Sequence, residues 1–336
     1  MKTVILVGNG FDLNMGLPTR YSDFLKYYQK ISSPDASIRR LKRTFFRFIG
    51  PRSENWADLE ETLGKFTARF PDSLSGLNDF FKLHADILSQ ISRYLENQVS
   101  NIHYPSACSS ICDAFSSLPN MYLSHLNDIS RSILNNTLAL DPQHQNTYTF
   151  ASFNYTKVLD MCVQMFLNNT HSASQNWTLT PEVFHIHGYS NLHPILGVDK
   201  LTQINNHFQN TSDLARGFIK ETTLSRCGID VNTLIQILQE SHIVLLYGLS
   251  LGVTDASWWE YLVNWLVKDK DHQLIIYTRC DGNADINPRI YITSVDSILS
   301  TMANYLPDTI DQKRKEVVLS QIHVIVNRNL FPFRLV

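Results

Sequence analysis

What the chain lacks most plainly is a long hydrophobic run. Ahead of Gly8 the apolar stretch covers only Thr3 to Val7, too short for the core of a secretory signal and far too short to span a bilayer. A cytoplasmic protein with no membrane partner is therefore expected. An excess of one charge is missing too: 29 Lys and Arg stand against 31 Asp and Glu, a net charge of -2, which gives no global field to draw in nucleic acid or an anionic membrane. Cysteine is scarce, and Cys108, Cys112, Cys162, Cys227 and Cys280 form one C-x-x-x-C pair without a second to complete a zinc knuckle. They read as reduced thiols, with no structural metal. No repeat, low-complexity tract or flexible linker divides the 336 residues, whose 43% hydrophobic content suffices for an ordinary buried core.

Against those absences, strand character is regular. Thr3 to Val7 is a β-branched run that stops at glycine, and similar runs recur at Tyr148 to Phe153, Val183 to Ile186, Ile243 to Tyr247, Leu274 to Tyr277 and Ile322 to Val326. Helical spacing lies between several of them, so the expected class is α/β, a Rossmann-like parallel sheet with helices on both faces. From about Tyr21 to about Asn136 the pattern is helical throughout. Within it, Asn78 to Val99 places Phe81, Leu83, Ile87, Ile91 and Leu95 on one face. This predicts one α/β domain carrying a large helical insertion after its first strand.

Ligands of such folds sit at the carboxyl ends of the strands, and the distinctive residues fall there. Gly8-Asn9-Gly10-Phe11-Asp12 follows the first strand, where small residues let backbone N–H groups approach a phosphate or ribose. The dinucleotide fingerprint is incomplete, because position 13 is Leu and a helical region follows instead of a second strand. A second turn, Gly16-Leu17-Pro18-Thr19, bends the chain again at the same mouth.

Ser152-Phe153-Asn154-Tyr155-Thr156 brings an amide to the sheet edge, able to fix a sugar hydroxyl or a water, or simply to cap the helix that starts near Lys157. In His185-Ile186-His187-Gly188, alternation predicts both imidazoles on one face, with His187 at the strand end. Glu182, His193 and Asp199 lie nearby, but the spacing fits no zinc pattern. Gly248-Leu249-Ser250-Leu251-Gly252, with Asp255 beyond, repeats the logic of strand and glycine loop, so that one dinucleotide could lie between the two loops. A further strand delivers Thr278 and Arg279 to the same edge, where the guanidinium could meet a phosphate or cover an adenine.

Taken in order, GNGFDLNMGLPT, SFNYT, HIHG and LLYGLSLGVTD, together with Trp56-Ala57-Asp58-Leu59-Glu60 and Gly197-Val198-Asp199, make the chain resemble the AbiH family of phage abortive-infection proteins over nearly its whole length. That family is similar in turn to sirtuins and sirtuin-like NAD hydrolases of bacterial defence. The resemblance implies that NAD is substrate or ligand, with Gly8, Asn9, Gly10, Phe11 and Asp12 around its phosphate and ribose, and Thr19 at the same mouth. Asn154 would orient the nicotinamide ribose or a water, His187 would contact ribose hydroxyls or act as base, and Gly248, Ser250 and Asp255 would serve the adenosine side. The four-cysteine zinc module of protein-deacylating sirtuins is absent, which favours glycohydrolysis.

Two other classes remain open at this point. One is an NAD- or ADP-ribose-sensing protein whose helical region engages a second copy of the chain or another defence component. The other is nucleic-acid engagement through Arg39, Arg40, Lys42, Arg43, Arg47 and Arg52, interleaved with Phe45, Phe46 and Phe48. Helical spacing explains most of that run as a solvent stripe of Arg39, Arg43 and Arg47 beside a core stripe of Leu41, Phe45 and Phe48. Trp258, Trp259 and Trp265 are expected in the core.

Overall fold

Six parallel strands carry the architecture of this computed structural model, which describes residues 1–50, 58–139, 146–169, 177–209, 215–229 and 231–336. They are β1 (Lys2–Val7), β2 (Asn146–Ser152), β3 (Trp177–His185), β4 (Ile243–Tyr247), β5 (Gln273–Thr278) and β6 (Ile322–Val326), in spatial order β3-β2-β1-β4-β5-β6. The order reverses between β1 and β4, and at such a switch point a crevice opens above the carboxyl ends. Burial on both faces explains the unbroken apolar strands: Ile5 and Val7 of β1 enter one core, while Val4 and Leu6 enter another.

Short α1 (Gly10–Asn14) follows β1, and then come α2 (Tyr21–Lys30), α3 (Ala36–Ile49), α4 (Leu59–Phe66), α5 (Leu74–Val99), α6 (Cys108–His125) and α7 (Asp128–Ala139) before the chain returns to β2. The expected helical stretch is therefore present, but it is not one unit. Helices α2 to α5 share an aromatic-rich core with Leu196, Val198, Ile204, Phe208, Phe218 and Ile219. Helix α6 instead lays Ile111, Phe115 and Leu118 on the sheet, beside Leu134 of α7 and α8 (Val158–Asn169). The other sheet face is covered by α11 (Val231–Gln239), α12 (Ala256–Lys268), α13 (Pro288–Ala303) and α14 (Gln312–Ser320); α9 (Asn206–Gln209) and α10 (Lys220–Cys227) lie in the connection between β3 and α11.

Local chemistry sets several boundaries. Helix α5 begins four residues ahead of the expected Asn78 because the Ser73 hydroxyl accepts from Gly76 N–H at 3.1 Å, and Phe80 rather than Phe81 is the buried ring of its first turns. Strand β3 starts six residues ahead of the expected Val183 and ends at His185, one short of Ile186; Pro181, which lacks a ladder donor, is accommodated by a register shift opposite Tyr148 and Phe150 on this edge strand.

The basic run resolves largely into the two expected stripes, with Arg39, Arg43 and Arg47 exposed and Leu41 and Phe45 buried. Phe48 is only partly buried, and Lys42 departs from the pattern. Its ammonium is buried over the Tyr28 ring and donates to the carbonyls of Tyr28 and Ile31, closing the end of α2. Arg52 and the Trp56-Ala57 pair lie outside the described residues. Trp259 and Trp265 are core residues, and Trp258 is partly buried. All five cysteines are free, and among the described residues no helix is long and apolar enough to cross a membrane.

Candidate functional site

A cleft of about 890 Å³ opens over the switch point, within the size range of small-molecule sites. Gly8, Asn9, Gly10, Asp12, Thr19, Asn154, His187, Gly248, Ser250 and Asp255 all line it. Phe11 does not. Its ring is fully buried against Phe331 in the core under the sheet, because α1 starts at Gly10 and turns that position inward.

The two glycine loops are pressed against each other rather than parted around a ligand. Gly8 N–H donates to the Tyr247 carbonyl and Gly10 N–H to the Gly248 carbonyl, each at 2.9 Å. A Cβ on Gly10 would stand 2.4 Å from the Gly248 Cα, and Gly248 itself has φ +71°. Backbone contact, and not only access for a ligand, requires glycine here. Gly10→Ala is accordingly expected to cost about 1–3 kcal/mol of stability, and an unchanged urea midpoint would show that the loops do not touch. Asn9 and Thr19 also act within the protein: Thr19 Oγ1 donates to Asn9 Oδ1 at 2.5 Å, and Asn9 Nδ2 donates to the Thr19 carbonyl at 3.0 Å, pinning the second turn to the first.

Beneath these loops sits Asp12, 1% exposed. Asn154 Nδ2 donates to its Oδ1 at 3.1 Å and Thr156 Oγ1 to its Oδ2 at 2.6 Å. Burial pushes its carboxyl up to about 7, outweighing those two hydrogen bonds and the nearby His185, all of which favour the anion. Asn154 does not cap α8. Its amide is turned to Asp12, and its buried Oδ1 has no partner.

His187 and His185 part company. Strand β3 ends at His185, so alternation stops there. His185 Nε2 faces Asp160 of α8 at 3.0 Å, while His187 Nε2 reaches Asp255 at 3.0 Å, just ahead of α12 on the opposite side of the sheet. His187 is buried, with its ring edge-on to Phe153. Burial first, then the Lys220 charge, lowers its pKa in spite of Asp255, so the ring is neutral at pH 7.

Lys220 is the residue that no motif announced. Its buried ammonium, at the start of α10, bonds Asp255 Oδ1 at 2.8 Å and Glu60 Oε2 of α4 at 2.7 Å. Burial would depress Lys220, but the two carboxylates outweigh it and hold it charged. Burial likewise opposes ionisation of Asp255, yet Lys220 and His187 keep it well below the usual carboxylate range. Glu60 goes the other way, pushed up to about 7 by burial despite Lys220. Its Oε1 accepts from Tyr155 Oη at 3.4 Å and Gly197 N–H at 3.3 Å, so the Asp58-Leu59-Glu60 and Gly197-Val198-Asp199 segments meet SFNYT behind the cleft. Asp199 accepts from Ser257 N–H and Oγ and braces the start of α12.

A family model described as bacteriophage abortive infection AbiH matches residues 4–277, from β1 to the end of β5. No curated protein matches the chain significantly.

Proposed function

This chain belongs to the AbiH family and so has a role in bacteriophage abortive infection, and from that premise we propose that its cleft hydrolyses the bond between nicotinamide and ribose in NAD. The observation that carries this reading is the buried Asp12, held by Asn154 and Thr156 at the carboxyl edge of a dinucleotide-type sheet.

Cleavage breaks the bond from C1′ to the pyridinium nitrogen. The electron pair leaves with nicotinamide, which becomes neutral and needs no proton, while the ribose becomes an oxocarbenium-like cation. A carboxylate held in a dry site stabilises that cation better than water can. Water then adds to C1′, and Asp12, with a pKa near 7, takes its proton, giving ADP-ribose. The unpartnered Asn154 Oδ1 accepts from that water or from a ribose hydroxyl. Because the anionic Asp255 fixes the proton of His187 on Nε2, Nδ1 is left as an acceptor for a second ribose hydroxyl.

Purified protein incubated with NAD should release nicotinamide and ADP-ribose, and Asn154→Ala and His187→Ala should each lower the rate at least about a hundredfold with far-UV circular dichroism unchanged. Saturable ADP-ribose binding without release would replace hydrolysis with sensing. Full activity in either variant would remove that residue from the reaction.

A further inference from the structure

A Rossmann-type loop ordinarily meets a pyrophosphate with free backbone N–H groups. Here the N–H groups of Gly8, Gly10 and Phe11 are taken up by the carbonyls of Tyr247, Gly248 and Gly8, at 2.9 Å each. The cleft carries its positive charge elsewhere. Arg279 leaves the end of β5, Arg328 the end of the adjacent β6, and Arg20 follows the turn pinned by Asn9, and all three line the cleft. Arg279 and the β6 loop share an anchor, since the Arg279 guanidinium and Asn329 Nδ2 both donate to Asn14 Oδ1. Arg279 thus faces a neutral group there, and Arg328 pairs with Asp285, 64% exposed in its side chain, a surface pair that a phosphate can displace.

Sheet order separates two of these arginines from the residues proposed for the reaction. Asp12, Asn154 and His187 follow β1, β2 and β3, whereas Arg279 and Arg328 follow β5 and β6 at the far end. We propose that Arg20, Arg279 and Arg328 form the phosphate subsite of this cleft, recognising the diphosphate of a nucleotide by side-chain guanidinium groups in place of the glycine-loop backbone. The identity of the whole ligand rests on the hydrolase reading above; the diphosphate subsite does not. A ligand cationic at one end and doubly anionic at the other matches a cleft with the Asp12 carboxyl after β1 and two guanidinium groups after β5 and β6. Guanidinium forks suit phosphate oxygens better than ammonium groups do. Arg279 and Arg328 lie beyond the span that the family model matches, so the subsite draws on the C-terminal part of this chain.

Isothermal titration with ADP tests the subsite without any reaction. Wild type should bind ADP, Arg279→Ala should weaken binding roughly tenfold or more, Arg328→Ala and Arg20→Ala several-fold, and Arg43→Ala on the exposed face of α3 not at all. Asn154→Ala should bind ADP as wild type does, because ADP carries no group for the reaction end. No ADP binding by folded wild type, or binding indifferent to all three cleft arginines, would overturn the proposal. So would a ten-nucleotide single strand that binds more tightly than ADP through the same arginines, since the phosphates recognised would then be those of nucleic acid. If arginine-dependent ADP binding is seen but nicotinamide is never released, the hydrolase reading falls and the subsite stands. If NAD is cleaved with a KM unaltered in the arginine variants, the subsite falls and the hydrolase stands.

Discussion

Replacing Asp12 by Asn should abolish nicotinamide release and yet make the protein harder to unfold. Burial pushes the folded carboxyl up to about 7, from the 3.8 of a solvated aspartate. Between those values the native state keeps a proton that the unfolded chain has released. Folding is therefore penalised progressively as pH rises from about 4 to about 7, and the penalty is full above that. A rise of that size corresponds to a penalty on the order of 4 kcal/mol. Asn has the same shape, still accepts from Asn154 Nδ2, and can donate to Thr156 Oγ1, so the hydrogen-bonded frame survives while the buried charge does not. Urea unfolding should show Asp12→Asn more stable than wild type by on the order of 2 kcal/mol at pH 8, with little gain at pH 4, where the folded state holds the proton and the unfolded chain has only begun to release it. In wild type the rate should rise with pH through about 7 as Asp12 ionises, and Thr156→Val, which removes a hydrogen bond favouring the anion, should move that limb upward. A stability difference equal at both pH values would show that the carboxyl is not held by burial.

That trade also bears on what could be read from the sequence. Five of the strands were legible because burial on both faces demands continuous apolar runs, whereas the edge strand β3, exposed at Thr178, Pro181 and Glu182, was legible only from Val183 onward. The place of Asp12, Asn154 and His187 in the cleft followed from position at the strand ends. Purpose was less legible. Gly8, Gly10 and Gly248 look alike in sequence whether a backbone or a phosphate comes close, and the packing that leaves no room for a Cβ between Gly10 and Gly248 is what distinguishes the two. The pairing of His185 with His187 failed because alternation holds only inside a strand. Lys220 gave no local signal at all. A lysine opening a polar helix reads as solvated, and its burial depends on Glu60, 160 residues earlier in the chain. The AbiH resemblance had already picked out Asp58-Leu59-Glu60 and Gly197-Val198-Asp199; what it could not give was the cation they gather around.

Lys220→Met should therefore be among the most destabilising single substitutions in the protein. Three acids, Asp58, Glu60 and Asp255, lie around one ammonium, and His187 is neutral, so removing Lys220 leaves buried carboxylates with no counter-charge. Breaking such a pair from one side costs about 3–5 kcal/mol, far more than the intact pair contributes. The sign of its pH dependence follows from the same groups. With the cation gone, the folded-state pKa values of Glu60 and Asp255 both rise, so the variant recovers stability as pH falls and those groups take up protons. The deficit should be largest near pH 8 and shrink towards pH 5. Glu60→Gln in the Lys220→Met background should restore part of the loss, and a double-mutant cycle should report a coupling of about 1–3 kcal/mol. A deficit below about 1 kcal/mol, in the range of an exposed pair, would mean that the network is solvated. The network also joins α4 of the helical layer to His187 through Lys220 and Asp255, so Lys220→Met removes a charge that holds the His187 pKa down. In the variant the imidazole should titrate at higher pH by NMR, and an unmoved His187 would show that the helical layer stabilises the cleft without tuning it.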